Sequence, residues 1–133
     1  MHLERFQLDD LWLIKPRWPQ TYPKNALSVL HVDNGMALTA WEGNIAVGAA
    51  GITRWPLCDE GWAHLSDWFT SRPLVLHRLV SRFLPMYARY MGVKTLIARI
   101  EPGLKRYERW PEALNMEFKG YDADGFMQYW RKF

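Results

Sequence analysis

Cysteine is nearly absent: Cys58 is the only one in 133 residues, so no internal disulfide can form and the fold must rest on packing alone. No run approaches the roughly 18 apolar residues that a membrane span requires. Met1-His2-Leu3-Glu4-Arg5 lacks the positive-then-apolar profile of a secretory signal, so the chain is expected to be soluble and to stay where it is made. There is no low-complexity tract and no repeat at a fixed period. The four histidines and one cysteine show no metal-ligand spacing, and neither a nucleophile elbow nor a Walker-type loop occurs. A net charge of +3 is only mildly basic. Nucleic-acid binding would need a clustered patch: Lys105, Arg106 and Arg109 with Arg72, Arg78, Arg82 and Arg89 are the candidates, but Glu101, Glu108 and Glu112 interleave them, which favours a solvated helix face.

Apolar and aromatic residues are abundant instead. Hydrophobic residues make up 49% and aromatics 15%, with eight tryptophans. The length suits one domain that buries roughly two thirds of its unfolded surface. Eight tryptophans exceed what so small a core needs, so some are expected at the surface, where interfaces favour aromatics. Trp18, Trp55 and Trp68 fall in expected loops and are the candidates for a contact patch, the alternative being that the loops fold them over the sheet.

The pattern of elements is α+β. Residues 1–35 form a looped front end: a short strand at Leu3–Leu8, a helix start at Asp9-Asp10 running through Leu11–Ile14, then Pro16, Pro19 and Pro23 and a short helix at Asn25–His31. Met36–Trp41 and Ile45–Thr53 read as a hairpin around Glu42-Gly43-Asn44. Gly48-Ala49-Ala50-Gly51 keeps one strand surface shallow, for close helix packing or for a bulky neighbour. Trp55–Glu60 reads as a loop and Trp62–Ser66 as a strand. A long helix follows, with Pro73 in its first turn and Thr70 or Ser71 as cap. Leu76, Leu79/Val80, Phe83, Tyr87 and Tyr90/Met91 give it a core face, with Arg78, Ser81, Arg82 and Arg89 opposite. Pro85 should kink it and Gly92 should end it. Thr95–Ile100 is a strand, Lys105–Leu114 a short helix, and Met116–Lys119 with Phe126–Lys132 a closing antiparallel pair.

Residues 36–120 resemble the GNAT family of N-acetyltransferases, through the hairpin, the strand into a phosphate turn, the long helix, and the motif Leu114-Asn115-Met116-Glu117-Phe118 in place of Leu-Gly-Phe. Trp62-Ala63-His64-Leu65-Ser66, the helix with Arg78 and Arg82, and Arg109-Trp110 are similar to acetyltransferase-like proteins of tailed bacteriophages, the family of the small internal virion protein of T7-like phages. The resemblance implies one domain over residues 1–133: a mixed, mostly antiparallel sheet with a long helix after its fourth strand, closed by residues 121–133. It implies acetyl-CoA between two splayed parallel strands, with its pyrophosphate on backbone N–H groups at the start of the long helix.

That turn is Ser71-Arg72-Pro73-Leu74-Val75, which contains no glycine, and Pro73 has no N–H to donate. Ser71, Arg72, Leu74, Val75 and Arg78 are the candidate cofactor-binding residues, the arginines through charge-assisted contacts to phosphate. The family's acid tyrosine, four residues before the motif's glycine, corresponds to Pro111, and Tyr107 lies one turn further back. Glu101, at the mouth of the second splayed strand, is the candidate base. His64 is a second candidate base, although a histidine in an apolar strand reads better as a core residue. Two functions follow. One is a phage acetyltransferase-like protein without catalysis, acting in the bacterial host cytoplasm or packaged in the virion by binding a virion or host protein. The other is an active acetyl-CoA-dependent N-acetyltransferase on a small amine or a protein. The turn at residues 71–75 separates them.

Overall fold

The computed structural model describes residues 1–15, 34–100 and 110–133. Among these, seven strands form one sheet in the order β1-β2-β3-β4-β5-β7-β6. The strands are β1 (His2–Arg5), β2 (Gly35–Glu42), β3 (Ile45–Arg54), β4 (Asp59–Leu65), β5 (Thr95–Ile100), β6 (Glu117–Tyr121) and β7 (Met127–Lys132). The helices are α1 (Asp10–Leu13), α2 (Asp67–Thr70), α3 (Pro73–Met91) and α4 (Trp110–Ala113). Every strand pairing is antiparallel except that of β4 with β5. The expected α+β architecture, with a long helix after the fourth strand, is present.

Chemistry at the strand ends explains the hairpins. Gly43 takes φ +58° in the two-residue turn between β2 and β3, a conformation that glycine adopts without a Cβ penalty. The β6–β7 turn is tied by Asp122, whose Oδ1 accepts from the amides of Asp124 and Phe126, each at 2.9 Å. Its Oδ2 accepts from Arg99 Nε at 2.7 Å. Burial opposes the Asp122 charge, but the Phe126 amide, Arg99 and the Asp124 amide outweigh it and hold the carboxyl below its ordinary value. A depressed carboxylate pKa contributes stability above the unfolded-state value, and that contribution is lost as pH falls through the folded-state value. Asp122→Ala is therefore expected to remove about 2 kcal/mol at pH 7. Urea titrations at a series of pH values should show the gap from the parent protein closing in acid.

The two sheet faces alternate along each strand. On β4, Ala63 and Leu65 pack toward α3 with Phe69 and Leu76, whereas Trp62 packs toward α1 with Phe6, Leu11 and Ile14. The α3 side continues into a cluster of Ile52, Ala88, Val93, Leu96, Leu114, Met116 and Tyr129. On the other side, Asp10 Oδ2 accepts from Thr39 Oγ1 at 2.7 Å and from the Gln7 amide at 2.9 Å, which anchors α1 to β2 through a buried polar pair.

Several expectations need correction. The first strand stops at Arg5 rather than Leu8, because Gln7 and Asp10 turn the chain into α1. The strand expected at Trp62 begins at Asp59, since residues 59 to 61 are paired on both sides, to β3 and to β5. Neither Thr70 nor Ser71 caps the long helix. A separate turn of helix, α2, intervenes with Ser66 as its cap, and Arg72 stands at the N-cap of α3 without a side-chain cap bond. Tyr90 is 81% exposed, and Ala88, which the periodicity did not single out, is fully buried in its place. Helix α3 includes Pro85 and ends, as expected, at the left-handed Gly92, φ +69°. The expected helix at Asn25–His31, Trp18, and residues Lys105 to Arg109 lie outside the described residues.

Candidate functional site

The site begins where β4 and β5 part. They pair in parallel at three positions, Asp59–Leu96, Glu60–Ile97 and Gly61–Ala98. Beyond these, Trp62 to Leu65 pair only with β3, and Arg99 and Ile100 only with β7. The sheet therefore opens between Trp62 and Arg99. Gly61 sits at the fork, where an added Cβ would lie 3.2 Å from Leu96 Cδ2. The two strands named in the sequence as the splayed pair are those that diverge.

A cavity of about 190 Å³ lies between the opened sheet and α3, lined by Gly48, Ala50, Leu65, Phe69, Leu76 and Val80 among others. Its lining is overwhelmingly apolar. The Gly48–Gly51 stripe forms part of its floor, and its shallowness is used in two ways. A Cβ at Gly48 would lie 2.7 Å from Phe69 Cε2, so glycine admits that ring. At Gly51 the close neighbour is β2, with Ala37 Cβ at 2.5 Å. Close packing accounts for both glycines.

At the mouth of the opening stands the turn from α2 to α3. Ser66 Oγ donates to Val47 O at 2.6 Å and accepts from the Trp68 amide at 3.4 Å, which locks the start of α2 to β3. The turn's backbone donors are directed inward. The Ser71 amide donates to Asp67 O at 3.4 Å and the Arg72 amide to Phe69 O at 3.0 Å. The amides of Val75 and Leu76 both donate to Arg72 O, at 3.1 and 3.3 Å. Pro73 has no donor, which leaves the Leu74 amide. Arg72 folds back over α2: its guanidinium lies 4.3 Å from the Trp68 ring centroid and donates to Trp68 O at 3.0 Å and Ser71 Oγ at 2.9 Å. Ser71, Arg72 and Leu74 are thus exposed at the mouth, Val75 packs into the core, and Arg78 points to solvent one turn along.

The remaining candidates separate. Glu101 and Tyr107 lie outside the described residues. His64 is 2% exposed and shares the face of Trp62, as a core histidine would. Asn115 adopts φ +59° at the position of the motif's glycine, with the Met116 amide closing onto Pro111 O at 3.0 Å. Asparagine tolerates that left-handed conformation, so the motif keeps its backbone without its glycine. Two groups were not singled out from sequence. Arg99 stands just past the fork, ion-paired to Asp122 and, at 3.3 Å, to Asp124, and its only sequence signal is one charge inside an apolar strand. His77 joins α3 to α4, accepting from Trp110 Nε1 at Nδ1 (3.4 Å) with Nε2 3.3 Å from Ser81 Oγ. That pairing is invisible without the tertiary structure.

The tryptophan patch also shifts. Trp68 is half-buried, edge-on to Phe69 at 4.9 Å and covered by Arg72. Trp55 is half-buried and donates to Glu60 Oε1 at 3.3 Å. The most exposed described tryptophan is Trp12, at 58%. Loop position was a poor guide, because these two loops fold back on the domain. Among the described residues no helix is long and apolar enough to cross a membrane, and no group of three or more possible metal ligands occurs.

No family model matches the sequence, and no curated protein matches it. Solved structures do match. The chain superposes on an acetyltransferase from Streptococcus agalactiae with a TM-score of 0.74 at 11% identity, covering 99% of this chain and 98% of the other. The GNAT domain of S. lividans PAT gives 0.72 at 14% identity, covering 98% and 89%. A Bacillus subtilis acetyltransferase in complex with CoA gives 0.71 at 13% identity, covering 98% and 97%. At such identities the likeness concerns the fold, and the fold is that of the GNAT acetyltransferases.

Proposed function

We propose that this chain is an acetyltransferase-fold protein that acts by binding a protein partner and has given up turnover of acetyl-CoA. One observation carries the reading: the amides of Ser71, Arg72, Val75 and Leu76 are committed to internal carbonyls and Pro73 has none to offer. A pyrophosphate at a helix N-terminus needs several free N–H groups converging on it. A single free amide beside an arginine already engaged by Trp68 and Ser71 does not make that cradle. The residues present therefore do not fit the cofactor's pyrophosphate, and no catalytic step is derived through it. The partner under this reading is a phage virion or bacterial host protein, met in the host cytoplasm or in the particle. Its support is the resemblance of Trp62-Ala63-His64-Leu65-Ser66 and of the helix with Arg78 and Arg82 to phage proteins.

The test is calorimetric titration with acetyl-CoA, together with an amine panel. The expected result is no saturable heat up to about 1 mM, that is, binding weaker than about 4 kcal/mol. Micromolar binding that Arg72→Ala weakens, with acetylation that Glu101→Gln abolishes, would overturn the reading.

A second reading, an active N-acetyltransferase on an amine, is favoured by the forked strands and the apolar cavity behind them. Under it Ser71, Arg72, Leu74, Val75 and Arg78 would meet the phosphates, with Glu101 as base and Tyr107 as acid. Acetyl-CoA belongs to this reading.

A further inference from the structure

Helix α3 has an outer face unlike the rest of the surface. Over its 19 residues it contains Arg78, Arg82 and Arg89 and no aspartate, glutamate or lysine. At about 100° per residue the three arginines fall within about 40° of one another, so they form one line about 16 Å long. All three are exposed, and none is ion-paired among the described residues. Arg82 lies 5.4 Å from the Phe83 ring centroid, a neutral neighbour. Flanking the line are Leu74 on one side and Met86 and Tyr90 on the other, exposed by 69%, 54% and 81%. Like charges at i and i+4 destabilise a helix slightly, so the Arg78–Arg82 pair does nothing for α3 itself.

Resting on the reading that the protein acts through a partner, we propose that this face is the docking surface and that its occupant is an acidic amphipathic helix of a partner protein. Charge complementarity selects the sign: three arginines in line, unneutralised among the described residues, call for carboxylates in line, and bidentate arginine–carboxylate pairs give that contact direction. Composition selects protein over nucleic acid. Arginine, methionine and tyrosine without lysine or acids is the make-up of protein interface cores, and a duplex would leave Leu74, Met86 and Tyr90 uncovered. A second copy of the same face is excluded, because a two-fold contact sets arginine against arginine. A helix fits the line because its own i, i+4 and i, i+7 positions repeat the spacing of Arg78, Arg82 and Arg89.

Fluorescence anisotropy with the whole chain tests this. The probe is a labelled helical peptide as long as α3, bearing a glutamate stripe flanked by leucines, with its glutamine counterpart as control. The glutamate peptide should bind at least about tenfold tighter than the glutamine peptide. Arg78→Glu with Arg82→Glu should weaken it by a further factor of about ten or more, and Arg78→Gln with Arg82→Gln by less. Thermal melts should show all variants folded, since these side chains are solvent-facing. Equal binding of the two peptides, or binding indifferent to the charge reversal, would sink the proposal. So would tighter binding to duplex DNA or to phosphatidylserine vesicles. These outcomes are independent of the acetyl-CoA titration, so failure of the surface and failure of the partner-binding reading can be told apart.

Discussion

Gly51→Val is expected to remove a large share of the stability of the fold. Gly51 lies in the middle of β3 opposite Ala37 of β2, and a Cβ there would run into the Met36 carbonyl oxygen and come within 2.5 and 2.7 Å of Ala37 Cβ and Cα. Two of these three atoms are backbone, held by the paired register on both sides of β3, so no side chain can swing away to make room. Overpacking a core with flexible neighbours costs about 1–3 kcal/mol, and here the neighbour is a strand, so about 3 kcal/mol or more is expected. Against a total stability of about 5–15 kcal/mol that removes between about a fifth and more than half of it. Chemical denaturation would read it directly, with Gly43→Ala as the control. Gly43 has nothing within 4 Å of its Cβ position and only its φ of +58° to lose, about 1 kcal/mol. Equal midpoints for the two variants would refute the close approach of β2.

The second large effect is a gain. Ser71→Gly combined with Pro73→Gly should create acetyl-CoA binding that the parent chain lacks. Pro73→Gly supplies the missing N–H at the first helical position, and Ser71→Gly removes an acceptor that holds Arg72 and frees the turn to approach an anion. The added amide is worth about 1.5 kcal/mol to phosphate, and release of a second by the freed turn would bring the gain to about 3 kcal/mol, or roughly a hundredfold in affinity. Pro73→Ala alone should recover about half of that free energy, since it restores the donor without the freedom. Calorimetry on the three variants checks the order. If the double variant binds no better than the parent, the committed amides are not what keeps the cofactor out, and the cause must lie deeper in the cavity.

These two experiments bracket what was readable in the chain. The hairpin was legible because alternating apolar residues flank Glu42-Gly43-Asn44, and the long helix because Leu76, Val80, Phe83 and Tyr87 repeat at helical spacing before Gly92. Both are local signals whose period is set by the backbone itself. Errors came where a neighbour decided. Asp59 and Glu60 read as loop because nothing local shows that two strands will pair with them at once. Of the pair Tyr90/Met91 offered for the core face only Met91 packs there, because periodicity finds a face and not its width. For Trp55 and Trp68 the sequence left open a contact patch or a fold back over the domain, and only their contacts with Glu60 and Phe69 decide for the second.

The candidate site divides the same way. The sequence alone determined that the phosphate turn has no glycine and that Pro73 lacks a donor, which covalent structure dictates. It also determined that α3 carries no acid, and that Asn115 stands where the resembled motif has glycine. Only the tertiary structure decided where β4 leaves β5, that the Arg72, Val75 and Leu76 amides are spent internally, and that Arg78, Arg82 and Arg89 stand in a solvent-facing line without an ion pair among the described residues. The reason is that donor and charge satisfaction depends on which groups meet across distant segments, and no local period encodes that.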